Sequence, residues 1–147
     1  MIITASKTKS TLTTPAGEFP ISFRVRTQEN GRLKKVVLTI PNGKPYKPQE
    51  FPNGRWELFK PLPRESAYLA PFFIPTDAHA TVEVWKVSGT RYIAKTGGFD
   101  IDYAYGLHFS SLDFTDGCIR FIEKDDLIKF AQWRERQEGR VFLDVIE

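Results

Sequence analysis

The 147-residue chain contains a single cysteine, a single methionine and only two histidines. One cysteine excludes an internal disulfide, so the fold must rest on a packed core, which a chain of this length can bury. A lone thiol assigns no compartment, because it fits the cytosol and equally a nucleophile working outside it. One cysteine and two separated histidines also lack metal-ligand spacing, which argues against a structural zinc site, and no motif calls for a cofactor. An excess of one charge sign is missing too: 21 basic residues face 18 acidic ones, for a net charge of +3. That mild bias suits an anionic polymer such as cell wall or nucleic acid without choosing between them. No apolar run approaches the length of a membrane span. The opening Met1-Ile2-Ile3-Thr4-Ala5-Ser6-Lys7 lacks the charged start and long apolar segment of an export signal. The expectation is a chain with no export signal of its own and no membrane span.

What is present is mostly strand signal. Ile2 to Thr4 reads as a short strand, and the threonine-rich stretch from Ser6 to Thr14 as chain that pairs or loops. Pro15-Ala16-Gly17 signals a turn, after which Phe19, Ile21 and Phe23 alternate as one face of a strand. Val36-Val37-Leu38-Thr39-Ile40 is a β-branched run stopped by Pro41-Asn42-Gly43. From Pro41 to Pro63 the proline, glycine and lysine content predicts irregular surface chain, interrupted by a strand over Arg55 to Phe59. Trp56, Phe59, Tyr68, Phe72 and Phe73 could form a platform for a sugar or peptide, but aromatics spaced through a β-rich chain are expected in the core. Ala80 to Val87 alternates Val82 and Val84 against Thr81, Glu83 and Trp85, and Ser88-Gly89-Thr90 turns it into Arg91 to Ala94 as a hairpin. His79, just before that strand, reads as a loop residue.

One amphipathic helix is expected over roughly Asp125 to Gln137, burying Leu127, Phe130 and Ala131. Acidic residues at its start and arginines near its end agree with the helix dipole, and Gly139 reads as its stop. Arg134, Arg136 and Arg140 lack the aromatic interleaving of a nucleic-acid surface and read as a solvated helix face. Val141 to Ile146 closes the chain as a strand. With no repeat, linker or low-complexity segment, residues 1–147 form one domain of mainly β class with one substantial C-terminal helix.

The chemistry gathers between Gly106 and Phe121, which hold His108, Cys118 and Arg120. The thiolate is the nucleophilic form of cysteine, and an ordinary thiol is only partly ionised at neutral pH, so an imidazole able to take its proton has a use. His108 is the candidate base. Arg120 lies two residues beyond Cys118, so on an extended segment both side chains leave one face, placing a planar cationic fork beside the thiol. Such a set suits a substrate bearing a carboxylate.

Thr115-Asp116-Gly117-Cys118-Ile119-Arg120 resembles the Ser/Thr-His-Gly-Cys-Ile-Arg signature of the L,D-transpeptidase (YkuD-type) family. Thr14-Pro15-Ala16-Gly17-Glu18-Phe19 is similar to that family's upstream Thr-Pro-x-Gly-x-Phe segment, and the order of strands, helix and closing strand agrees over the whole chain. The resemblance implies an L,D-transpeptidase-like β-sandwich or barrel, no cofactor, and a cysteine that attacks a peptide bond in a peptidoglycan stem peptide in the periplasm or cell wall. It makes Cys118 the nucleophile, His108 its base, and Arg120, Thr115 and Asp116 residues that order the site or hold substrate. The backbone N–H groups of Gly117 and Cys118 become the oxyanion donors. Two positions depart from the pattern. Asp116 replaces the family's usual second histidine, and His108 lies ten residues before Cys118, closer than usual. A carboxylate beside the thiol disfavours its ionisation unless Arg120 or His108 pairs with it. These departures suit a divergent branch, phage-borne or delivered as an effector, that hydrolyses stem peptides instead of cross-linking them. The competing reading is a non-catalytic module that kept the fold and binds wall or another protein, for example as a phage structural component.

Overall fold

The computed structural model describes residues 1–25, 46, 49–65, 71–88 and 91–147, with residues 85–88 and 91–97 described through their backbone alone. The molecule is mainly β, 50% strand, with a curled sheet and a single C-terminal helix. The strands are β1 (Ile2–Ser6), β2 (Thr11–Thr14), β3 (Gly17–Ser22), β4 (Gly54–Leu58), β5 (Leu62–Pro63), β6 (Phe72–Pro75), β7 (Ala80–Ser88), β8 (Arg91–Asp102), β9 (Gly106–Phe109), β10 (Ile119–Phe121) and β11 (Val141–Ile146). Helix α1 covers Lys124–Arg136.

Nine strands form one sheet in the order β4-β11-β1-β2-β3-β10-β9-β6-β5, and β7 and β8 form a separate hairpin. Period-2 alternation builds the sheet. Ile3 and Ala5 of β1, Phe19 and Ile21 of β3, and Val141, Leu143 and Val145 of β11 all turn inward and are buried. The first and last strands lie side by side in parallel, from Ile2 opposite Phe142 to Ser6 opposite Ile146. The sheet curls far enough for β4 at one edge to reach the chain next to β6 near the other. Phe59 N–H donates to the Pro75 carbonyl at 2.9 Å, and Asp77 N–H donates to the Glu57 carbonyl at 3.2 Å.

Helix α1 fills the concave side against β6, β9 and β10. Leu127, Phe130 and Ala131 are buried there as the periodicity predicts, together with Trp133. The Phe130 ring packs on Phe121 at 5.5 Å and on Phe19 at 6.0 Å between centroids. Asp125 and Asp126 occupy the first turn, where they face the positive end of the dipole.

Several expectations are corrected. Arg134 is no part of a solvated face: it is 4% exposed. Its guanidinium donates to the Leu58 carbonyl at 3.1 Å and the Gln137 carbonyl at 3.0 Å, tying the helix end to β4. A buried charge persists where its donors find acceptors. The stop at Gly139 is also not used as a left-handed cap, because the helix ends at Arg136 and Gln137 is already extended. Of the aromatics expected in the core, Trp56 and Phe72 are partly buried against it, Phe73 is half-buried and Phe59 is 39% exposed. Tyr68 and the strand expected over Val36 to Ile40 lie outside the described residues. The second strand of the hairpin runs to Asp102, well past Ala94, and no sequence signal marked that extension. His79 is an exposed loop residue, as expected, with its ring against Trp56 and Tyr103. Among the described residues no helix is long and apolar enough to cross a membrane.

Candidate active site

Strands β9 and β10 pair in parallel, with Ile119 opposite Leu107, Arg120 opposite His108 and Phe121 opposite Phe109. Leu107, Ile119 and Phe121 are fully buried on the core side. Residues opposite each other in a parallel pair share a face, so His108 and Arg120 stand side by side on the other side of the sheet. Cys118 precedes them by one pleat, next to Gly106. Gly106 permits this crowding, since a Cβ there would run into the Phe73 ring and the Ile74 carbonyl. His108 and Arg120 thus stand side by side, and Cys118 borders the same strand pair at Gly106, whose N–H reaches its sulfur.

The loop before Cys118 is shaped by Thr115. Its buried hydroxyl donates to the Cys118 carbonyl at 2.7 Å and accepts the Gly117 N–H at 3.1 Å, closing a tight turn. Thr115 N–H donates to the Arg24 carbonyl at 3.0 Å, and the Arg24–Asp113 ion pair at 2.8 Å fastens the same loop to the chain after β3. Thr115 therefore orders the turn that leads into Cys118. Gly117 has φ of +130°, and a Cβ there would meet the Tyr105 ring at 2.8 Å and the Gln49 carbonyl at 2.9 Å. The glycine serves the packing of the turn under Tyr105. Because its N–H is donated to Thr115, the Cys118 N–H is the better placed of the two expected oxyanion donors.

His108 is 6% exposed, and its Nδ1 lies 3.1 Å from the Phe109 carbonyl. A carbonyl only accepts, so this contact puts the proton of the neutral ring on Nδ1 and makes Nε2 the basic nitrogen. Arg120 Nε donates to the Ser110 carbonyl at 3.0 Å. Its guanidinium thus holds the loop that follows β9.

The thiol hydrogen bond goes to the Ala104 carbonyl at 3.5 Å, not to His108. Burial pushes the Cys118 thiol up to about 12, the nearby carboxyls of Asp102 and Asp116 push it the same way, and the Gly106 N–H beside the sulfur pulls it back. Cys118 itself keeps part of its surface open to solvent, so the crowding of protein around the sulfur, more than complete enclosure, favours the protonated thiol. Asp102 was not marked by the sequence. It ends β8, is 1% exposed, and donates nothing but accepts the Ala104 N–H on Oδ1 at 2.9 Å. Burial holds the Asp102 carboxyl above the usual carboxylate range, against the pull of the Ala104 N–H and of Tyr46. Tyr46 and Tyr105 are also buried here, and burial followed by the field of Asp102 raises both phenols. The Tyr46 hydroxyl donates to the Asp116 carbonyl at 3.4 Å. An aspartate and two tyrosines scattered between positions 46 and 105 carry no spacing that could announce them. Among the described residues no group of three or more His, Cys, Asp or Glu is arranged to hold a metal ion.

The chain matches no protein-family model, no curated protein and no solved structure. The chemistry must be argued from this constellation: a protonated thiol, an imidazole on the same face, an arginine bound to a loop carbonyl, and two carboxyls that oppose thiolate formation.

Proposed function

We propose that the chain is a cysteine-dependent acyltransferase or peptidase acting on peptidoglycan stem peptides, of the L,D-transpeptidase type. The observation that carries the reading is the parallel β9–β10 pairing, which sets His108 beside Arg120 on the face where Cys118 emerges. In the reaction the Cys118 sulfur attacks a peptide carbonyl after its proton passes to His108 Nε2, and the Cys118 N–H stabilises the oxyanion. His108 then protonates the departing amine, leaving an acyl-enzyme. An amine acceptor makes the protein a transferase, and water makes it a hydrolase; both routes share that intermediate. The peptidoglycan assignment rests on the resemblance of the Thr115–Arg120 and Thr14–Phe19 segments to the family's motifs, and it places the action in the periplasm or cell wall.

A second reading has one observation in its favour. A thiol raised to about 12 and bonded to a carbonyl is that of a structural cysteine, which suits a non-catalytic module that binds wall or another protein, as in a phage particle or an effector. Incubation with a stem tetrapeptide or a carbapenem followed by mass spectrometry separates the two. A covalent adduct present in the parent, absent in Cys118→Ala and strongly reduced in His108→Ala supports the enzyme. No adduct at any pH between 6 and about 10 supports the module.

A further inference from the structure

We propose that Asp102 is a positioning residue of the Cys118 site: its carboxyl fixes the Ala104 peptide so that the Ala104 carbonyl takes the thiol hydrogen, and the carboxylate itself stands behind the thiol in the resting molecule. The inference deepens the acyl-transfer reading by naming what holds the nucleophile in reserve, and its functional meaning rests on that reading.

The geometry is a short relay through one residue. Asp102 Oδ1 accepts the Ala104 N–H at 2.9 Å, and the carbonyl of the same Ala104 accepts from Cys118 Sγ at 3.5 Å. Moving Asp102 therefore moves the thiol's partner. Tyr46 also faces the carboxyl, yet its Oδ2 is buried without a hydrogen-bond partner, as is the Tyr105 hydroxyl nearby. Buried acceptors are ordinarily satisfied, and leaving two unmet beside one thiol is costly. This arrangement would be wasteful around an inert side chain, and it fits a site whose charge balance changes when the thiol reacts. The groups facing Cys118 all weigh on its ionisation. Asp102 comes from the end of β8, Asp116 from the preceding turn, Tyr105 from the lead into β9 and Tyr46 from across the hairpin, with His108 and Arg120 on the strand pair itself. Asp102 outweighs Asp116 in opposing the thiolate. In the acyl-transfer reading, His108 is the group that takes the proton when the Ala104 carbonyl gives up its bond.

Because Cys118 is the only cysteine, iodoacetamide labelling and the infrared S–H stretch each report one group in the intact chain. Asp102→Asn keeps an oxygen for the Ala104 N–H and removes the charge. Its labelling midpoint should fall by at least one pH unit, a tenfold gain in rate on the rising limb, whereas Asp116→Asn should shift it less. In the parent, the S–H stretch should persist above pH 10 at a hydrogen-bonded frequency, a measurement that needs no variant. An Asp102→Asn profile that overlays the parent with an unchanged near-ultraviolet dichroism spectrum overturns the proposal. So does a parent S–H stretch that is lost at the ordinary thiol pKa, even if the variant does not fold. Neither readout uses an acyl donor, so the failure of acyl transfer and the failure of this inference are separate results.

Discussion

On the inner face of the β9–β10 pair, Leu107, Ile119 and Phe121 are fully buried among apolar side chains. On the outer face of the same strands, His108, Arg120 and Cys118 lie among carbonyls, carboxyls and tyrosines. The two faces differ in how their residues are held. Inner residues need only to be apolar and of the right volume, whereas outer ones need particular partners that arrive from β8, from the 110–117 loop and from position 46. Packing tolerates substitution in proportion to volume lost; polar partnership fails one contact at a time.

Breaking the inner face should have the largest effect. Phe121 is fully buried and its ring meets Phe19 at 6.0 Å and Phe130 at 5.5 Å, so Phe121→Ala should cost about 3–5 kcal/mol in urea unfolding. A loss under about 1 kcal/mol would mean that the strand pair does not anchor helix α1.

Gly117 belongs to the outer face and tests backbone in place of volume. Gly117→Ala puts a Cβ at φ of +130° against Tyr105 and the Gln49 carbonyl, and should cost roughly 1–3 kcal/mol. It should also accelerate thiol labelling, because the Thr115 turn that presents Cys118 opens. Unchanged stability with unchanged labelling would remove the turn from the account.

The alkaline limb sharpens the comparison with the smallest effect. Burial pushes the Cys118 thiol up to about 12 in the folded chain, above its ordinary range, so its contribution to stability is complete below that ordinary range and is lost as pH rises towards 12. Each proton so linked gives a slope of about 1.4 kcal/mol per pH unit at most. The stability of the parent should therefore fall between pH 9 and 10 while that of Cys118→Ala stays flatter. Tyr46 and Tyr105, also raised, add loss of the same sign at higher pH. Parallel slopes for parent and variant would show that the thiol ionises normally and that the outer face does not restrain it.

The elements that the sequence made legible are those whose evidence is local. Alternation at Phe19, Ile21 and Phe23, and at Val82 and Val84, and the helical spacing of Leu127, Phe130 and Ala131, each follow from a side-chain period that the chain carries in itself, and all of these residues are buried. Residue type likewise singled out Cys118 and His108 as candidates, because a thiol and an imidazole carry their chemistry in themselves. Arg134 shows where such reasoning ends. Its charge predicted solvent, and only the approach of β4 with the Leu58 carbonyl made burial tolerable. Gly117 was legible as a glycine near a nucleophile, but its reason, Tyr105 and Gln49 pressed against it, comes from across the fold.

The sequence alone therefore determined the β class and the single helix, and it singled out His108, Cys118 and Arg120 as the chain's chemistry-bearing cluster, since period and functional group are written residue by residue. Tertiary structure alone decided that His108 and Arg120 share a face through parallel pairing, that Arg120 binds the Ser110 carbonyl, and that Asp102 stands behind the thiol. The physical reason is the range of the interactions. Burial and charge at Cys118 are set by neighbours from β8, β9 and position 46, and the ionisation of a thiol depends on which of them the fold brings within a few ångströms.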